Sequence, residues 1–175
     1  PYTHILMMAL LVISVVVSVF SIRYMHDEIQ KHRFAAYLLV FFAAMVGFIW
    51  CRNLLGMFFF WEWVGLVSWL FIGFWYTEDT PNKASLKAFL INKMADAFLL
   101  AAILWIWALY GTLDIEVLLA QGNMATLCLS LCIIVGVMAK SAQFPFQTWL
   151  PDAMSGPTPA SALIHAATMV AAGVW

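Results

Sequence analysis

Apolar stretches of membrane-spanning length follow one another along most of this chain. A helix that crosses a bilayer needs about 20 mostly apolar residues, and short polar patches divide the sequence into runs of that order. The candidate spans cover residues 5–22, 34–50, 54–76, 84–110, 124–142 and 161–175. Lipid offers no partners for backbone polar groups, so each span is expected to be helical. The predicted fold is all-α, a polytopic transmembrane helix bundle of about six spans that forms one domain over residues 1–175.

The composition excludes several other classes of protein. Of all residues, 65% are hydrophobic and only 10% are charged, whereas a soluble domain carries about 25% charged residues. The net charge of -1 gives no electrostatic basis for binding nucleic acid. The 3 cysteines supply no complete set of metal ligands, so no metal site is predicted. The chain begins at Pro1 and ends within an apolar run, and we therefore expect a fragment of a larger protein.

The fifth span is discontinuous near Lys140–Pro151. Proline removes a backbone hydrogen bond and clashes with the preceding turn of a helix. Broken helices at membrane depth are tolerated where they pack within protein or line a wet cavity, and in transporters they mark ion sites. A re-entrant or lateral surface helix is the alternative that this pattern leaves open. The residues that predict the helix break are Pro145, Pro151, Pro157 and Pro159.

Five ionisable residues lie within or beside the apolar spans, namely Glu62, Lys93, Asp96, Lys140 and His165. A charge at the bilayer centre costs about 2.5–3.5 kcal/mol, so each of them requires a partner or a function. Lys93 and Asp96 are three residues apart on one helix, which predicts an intrahelical ion pair. Glu62 and Lys140 are then the candidates for a second pair.

Proton transfer is the chemistry that this set of residue types favours. Burial disfavours the charged form of a lysine and a nearby carboxylate favours it, while histidine passes protons through either ring nitrogen. Glu62, Lys140 and His165 are therefore predicted to form a proton relay with internal water. Lys93 and Asp96 are predicted to be a secondary relay or a structural ion pair. Two alternatives stay open, a purely structural Glu62–Lys140 pair and a hydrogen-bonded core histidine at position 165.

The longest motif runs from Lys140 to Val170 and contains the sequences Gly156-Pro157-Thr158-Pro159 and Leu163-Ile164-His165. Shorter motifs lie at residues 21–25, 60–66, 72–76 and 92–96. Together they resemble the antiporter-like membrane subunits of respiratory complex I, the NADH:quinone oxidoreductase. The resemblance implies a truncated half of an inverted-repeat antiporter-like fold, covering about helices three to eight.

The resemblance implies a role for each charged position. Glu62 is similar to the glutamate of the family's fifth helix, Lys140 to the lysine at the break in the seventh, and His165 to the histidine of the eighth. Asp96 is similar to the acid of the sixth helix, and Lys93 stands where the family usually has arginine. The implied function is proton translocation driven by redox energy. The implied location is an energy-transducing membrane, either the mitochondrial inner membrane or the bacterial plasma membrane.

The resemblance also implies partners. They are the other membrane-arm subunits of complex I, the lipid bilayer, protons and internal water. No cofactor is expected in this chain, which has neither a glycine-rich nucleotide motif nor a cysteine quartet; FMN and iron–sulfur clusters would belong to partner subunits. Two other functions stay open: an Mrp-type sodium/proton antiporter or related ion-uptake subunit, and a structural membrane subunit without ion conduction.

Overall fold

The computed structural model describes residues 2–121, 127–167 and 169–173. These residues are predominantly helical, and within them the only strand-like pairing is an isolated bridge between Asn53 and Asp114. A 3-10 turn covers Ala153–Ser155 and a π-helical turn covers Leu163–Ala167. The α-helices are α1 (Tyr2–Tyr24), α2 (Lys31–Trp50), α3 (Leu54–Ile72), α4 (Asp79–Tyr110), α5 (Ile115–Ala120), α6 (Leu127–Lys140), α7 (Trp149–Asp152), α8 (Thr158–Ala162) and α9 (Met169–Ala172).

Four of these helices, α1 to α4, are long and apolar enough to cross a membrane. Helix α4 has 32 residues and is therefore about 48 Å long at 1.5 Å per residue, which exceeds the hydrocarbon thickness of about 30 Å. It begins at Asp79 rather than at the expected residue 84, so its first turns are polar.

The fifth and sixth expected spans are not single long helices. Helix α6 has 14 residues and ends at Lys140; the part of the expected span at residues 124–126 lies outside the described residues. The expected span at 161–175 is divided among α8, the π-helical turn and α9, and its residues 168, 174 and 175 lie outside the described residues.

Two loops at one end of the bundle are joined to each other. Asn53 caps α3 and Asp114 caps α5, each accepting hydrogen bonds from two backbone N–H groups on one side-chain oxygen. Backbone hydrogen bonds of 2.9 and 3.0 Å link the two loops, and Arg52 forms an exposed ion pair with Glu116 at 3.1 Å. The start of α3 is thereby fixed relative to the end of α4.

Aromatic side chains fill the core between α2 and α3. The ring of Phe34 lies 5.3 Å from that of Phe71 and 5.5 Å from that of Phe74, the second contact being edge-on. Such geometry matches the electrostatics of aromatic pairs and contributes beyond the buried area. The three rings are at most 1% exposed, so this part of the bundle is well packed against α3.

The discontinuity expected after Lys140 is a capped helix end. Gln143 donates its backbone N–H to the carbonyl of Met138 at 2.8 Å, and Ala142 donates to Ala139 at 3.1 Å. This pattern is a Schellman motif, with Ala142 at φ +48° in the left-handed position that glycine usually occupies. The fully buried Trp149 lies over the break and donates its indole Nε1–H to the carbonyl of Ala139 at 2.9 Å.

The prolines of the break lie outside helix interiors or in short helical turns. Pro145 lies in the turn that follows α6, Pro151 in the four-residue α7, and Pro157 and Pro159 at the start of α8. The segment thus consists of short turns packed on α4 rather than one lateral surface helix. An ion pair of 2.7 Å between Lys87 and Asp152 joins α4 to α7.

Helices α4 and α6 pack at close range because residue 136 is glycine. A Cβ atom at Gly136 would lie 2.8 Å from the Cβ atom of Leu99 and 3.5 Å from the carbonyl oxygen of Ala95. Lys140 follows Gly136 by one helical turn, so this contact also sets where the lysine meets α4.

We expect Gly136→Val to lower the stability of the assembled full-length subunit, because overpacking a tight contact costs typically about 1–3 kcal/mol. The measurement is the apparent melting temperature of the detergent-solubilised complex. It is obtained from the height of the monodisperse peak in size-exclusion chromatography after heating to a series of temperatures. Ile134→Val, on an exposed face of α6, is the control and should leave that temperature unchanged. An unchanged melting temperature for Gly136→Val would contradict the close packing of α4 and α6.

Candidate functional site

The most buried charges of the described chain are Lys140 and Asp96. Lys140 is the last residue of α6 and its side chain is 1% exposed; Asp96 lies in α4 and its side chain is 3% exposed. Lys140 Nζ is 3.4 Å from Asp96 Oδ2, so the pair joins two helices. The carboxyl end of α6 also favours a cation, because the helix dipole is negative there.

Trp61 of α3 contacts both members of this pair. Its indole Nε1–H donates to Asp96 Oδ1 at 2.6 Å, and the centre of its ring is 5.1 Å from Lys140 Nζ. Each oxygen of the carboxylate therefore has its own partner, and the ammonium gains a cation–π contact. We call Trp61, Asp96 and Lys140 the buried cluster; it brings together α3, α4 and α6.

The backbone of α3 lies directly beside the lysine. A Cβ atom at Gly65 would be 2.6 Å from Lys140 Nζ, which is closer than a carbon and an ammonium nitrogen can approach. Glycine is thus required at position 65 for the ammonium to occupy this place.

A second ion pair joins α3 to α4. The Glu62 carboxylate contacts the Lys93 ammonium through Oε2, and the two side chains are 25% and 35% exposed. Lys93 Nζ is also 5.6 Å from the centre of the Phe89 ring. We call Glu62 and Lys93 the outer pair.

The expected pairing of these charges is wrong. The sequence predicted Lys93 with Asp96 and Glu62 with Lys140, whereas Lys93 pairs with Glu62 and Lys140 pairs with Asp96. The reason is the register of the helices. Successive residues of a helix point about 100° apart, so Trp61 faces the buried cluster while its neighbour Glu62 faces Lys93.

His165 is a member of neither ion pair. It is half-buried within the π-helical turn, and its Nε2 atom is buried with no hydrogen-bond partner among the described residues. The hydroxyl of Ser161, one turn earlier, is likewise buried and unpartnered within that part of the chain. π-Helical turns occur frequently at functional sites, and this one carries the histidine of the predicted relay.

The sequence did not identify several features of the site. The hydrogen bond from Trp61 to Asp96 has no signal in the sequence. One feature of the sequence does indicate the close approach of Lys140. It is the glycine between two apolar residues at position 65, because a glycine within a span leaves space for a neighbouring side chain. Among the described residues no group of three or more His, Cys, Asp or Glu is placed to hold a metal ion.

Comparisons with known proteins agree with this architecture. The sequence profile of the family described as NADH:quinone oxidoreductase/Mrp antiporter, transmembrane, matches residues 51–175. The chain is 47% identical over 169 residues to NADH-quinone oxidoreductase subunit L of Campylobacter jejuni, covering 94% of this chain and 28% of the relative. It is 42% identical over 185 aligned positions to the chloroplastic NAD(P)H-quinone oxidoreductase subunit 5 of Nephroselmis olivacea, covering 100% of this chain and 28% of that relative. The chain thus spans less than a third of these relatives.

Two solved structures have the same helical arrangement. A chain of the Mrp complex from a Dietzia species superposes with a TM-score of 0.86 at 29% identity, covering 99% of this chain and 20% of that one. A chain of an archaeal membrane-bound sulfane sulfur reductase shares the fold, with a TM-score of 0.83 at 20% identity, covering 95% of this chain and 34% of that one. Since the family profile matches well over half of its length, the chain belongs to the NADH:quinone oxidoreductase/Mrp antiporter family of transmembrane subunits.

Proposed function

We propose that the chain belongs to a proton-translocating membrane-arm subunit of an NADH:quinone oxidoreductase. The observation that carries this proposal is the Lys140–Asp96 ion pair, fully buried at the end of a broken helix. A buried ion pair is weak evidence for stability, because an apolar pair of similar volume is often at least as stable. Ionisable residues inside a membrane are by default candidates for a functional site.

A proton that reaches either ion pair changes the charge balance of that pair. When a proton reaches the Glu62 carboxylate, Lys93 loses the negative charge that favours its ammonium form. The same holds for Asp96 and Lys140 in the buried cluster. Lys93 and Asp96 lie one turn apart on α4, so a change of charge in one pair alters the electrostatic field at the other.

His165 would accept the proton that leaves the buried cluster. Its Nε2 atom has no partner within the described residues, and a neutral imidazole nitrogen is a proton acceptor. Internal water would connect Lys140 to His165. In this scheme Glu62, Lys140 and His165 keep the roles expected from the sequence, and Lys93 and Asp96 enter the relay as their partners.

The source of energy would lie in other subunits. NADH oxidation requires FMN and iron–sulfur clusters, which we assign to partner subunits outside the membrane arm. The names of the bacterial and chloroplastic relatives support an assembly of this kind in an energy-transducing membrane.

A second candidate function is an Mrp-type sodium/proton antiporter subunit. The likeness to a chain of the Mrp complex supports it, and the same two ion pairs would serve a sodium-coupled exchange. A structural membrane subunit, in which the charges only pack, is the third possibility and is an outcome of the experiments below.

We expect Glu62→Gln and Lys140→Met, made in the complete subunit, to lower NADH-driven proton pumping about tenfold or more. Groups that accept or donate a proton contribute roughly 10²–10⁴-fold to transfer, and neither replacement can do so. Lys140→Met leaves Asp96 buried without its cation, so the double variant Lys140→Met/Asp96→Asn is included to preserve assembly. Pumping is measured in inverted vesicles by quenching of a pH-sensitive dye, and assembly on a native gel.

Lys83→Met is the matched control, because this lysine of α4 pairs with Asp79 at the surface with its side chain 81% exposed. Normal pumping in all assembled variants would contradict the relay and favour a structural subunit. Sodium-dependent proton flux without an NADH-oxidising partner would favour the antiporter.

Gly65→Ala tests the position of the ammonium without removing a charge. The added methyl group meets only the flexible end of Lys140, so we expect normal assembly but severalfold slower pumping, because the ammonium moves away from Asp96. Gly56→Ala makes the same change at the far end of α3, where the methyl group meets Cys51 instead, and should pump normally. Equal pumping rates for the two variants would contradict a requirement for Lys140 at this place.

A further inference from the structure

A small cavity lies between the outer pair and the buried cluster. Its volume is about 10 Å³, which is at the lower limit for one water molecule. The polar residues around it include Ser68 of α3, three residues of α4 and the lysine of α6. They are Ser68, Asn92, Lys93, Asp96 and Lys140.

Asn92 lines this cavity with an amide that is only half paired. Its Nδ2 group donates to the carbonyl of Ala88 at 2.8 Å; because a carbonyl can only accept, this bond fixes which amide atom is nitrogen. The other atom, Oδ1, is buried and has no hydrogen-bond partner among the described residues. Leaving a buried carbonyl oxygen unpaired costs about 1–3 kcal/mol. A hydrogen-bond donor at this oxygen would remove that cost.

We propose that Asn92 holds one water molecule that bridges the two ion pairs; this inference rests on the proposed relay and deepens it. The water donates one hydrogen to Asn92 Oδ1 and the other to the Asp96 carboxylate, and it accepts a hydrogen bond from the Lys93 ammonium. These three bonds match what a buried water typically makes. Asn92 is a positioning residue, since it orients the water and exchanges no proton itself.

The bridging water provides a path for a proton from the outer pair to the buried cluster. Lys93 gives a proton to the water as the water gives one of its own protons to Asp96. One N–H bond and one water O–H bond break, while a new water O–H bond and a carboxyl O–H bond form. The products are a neutral amine, an unchanged water molecule and a neutral carboxyl group, and the proton has moved from the outer pair to the buried cluster.

The surroundings favour water over other small occupants. The ammonium groups of Lys93 and Lys140 line the cavity, so a bound cation is disfavoured by like-charge repulsion. The Asn92 Oδ1 atom needs a hydrogen-bond donor, which a halide ion cannot supply. Ser68 is 2% exposed and donates its hydroxyl to the carbonyl of Gly65 at 2.8 Å, so it does not compete with the Lys93 ammonium as a donor to the water.

The test uses the complete subunit within the assembled complex. Asn92→Leu keeps the volume and removes both polar atoms, whereas Asn92→Ser leaves a hydroxyl and space for water. Ser85→Ala is the matched control: Ser85 is 3% exposed and bonds to the carbonyl of Asn82 on its own helix, outside the cavity. The readouts are the rate of NADH-driven proton pumping, assembly, and a cryo-EM map fine enough to show ordered water.

We expect density for a water at Asn92 Oδ1 in the unmodified complex and in Asn92→Ser, and none in Asn92→Leu. Pumping should fall about tenfold in Asn92→Leu, as for an increase of 1.36 kcal/mol in the barrier, recover largely in Asn92→Ser, and stay normal in Ser85→Ala. Absence of water density in the unmodified complex would overturn the proposal, as would normal pumping by assembled Asn92→Leu.

Two further outcomes separate this inference from the proposed function. If Glu62→Gln and Lys140→Met abolish pumping while Asn92→Leu pumps normally, the relay stands and the bridging water is wrong. If all of these variants pump normally, the relay itself is wrong and the bridge fails with it. Should Asn92→Leu fail to assemble, water density in the unmodified complex and the pumping rate of Asn92→Ser decide the question.

Discussion

The burial of one ammonium group determines how the central helices must pack. Lys140 is 1% exposed, and an unpaired charge in a low-dielectric interior costs several kcal/mol. Three contributions offset that cost: the Asp96 carboxylate, the face of the Trp61 ring and the negative end of the α6 dipole. Because they come from three different helices, α3, α4 and α6 have to converge on one point. Gly65 and Gly136 permit that approach, since any larger side chain would occupy the space needed by the lysine or by α4.

The arrangement of the charges links the two ion pairs through α4. An intrahelical Lys93–Asp96 pair would neutralise α4 alone and leave Glu62 and Lys140 to meet across a gap. Instead each lysine is paired with a carboxylate of another helix, and α4 contributes a cation to one pair and an anion to the other. A proton that enters either pair changes the net charge of that pair. Because Lys93 and Asp96 lie one turn apart on α4, this change alters the electrostatic field at the other pair. Coupling of this kind is a property of the whole set of four residues.

The sequence shows which charges lie within the apolar spans, but it does not show how those charges pair. Charges within apolar runs and prolines near a span can be recognised from the sequence alone. A charge is costly in lipid and a proline interrupts a helix whatever the surrounding tertiary structure. Partner choice depends on helix rotation, and one residue of register separates Trp61, which contacts Asp96, from Glu62, which contacts Lys93. The π-helical turn that contains His165 is not predicted by the pattern of apolar residues in this span. For the same reason the half-paired amide of Asn92 was not anticipated, since an asparagine within a span gives no sign of its partners.

The helix break and the buried lysine depend on each other. A buried helix end without partners for its last carbonyls would be unstable. At the end of α6 the Schellman bonds and the Trp149 indole satisfy the carbonyls of Met138 and Ala139. Those same contacts hold the last residue, Lys140, at the negative end of the helix and against Asp96. A continuous helix would place the lysine in the middle of the helix, where the dipole gives no help to the ammonium. Ala142 adopts the left-handed conformation at this turn, so a costly backbone geometry is retained at the point where the chain positions its most buried charge.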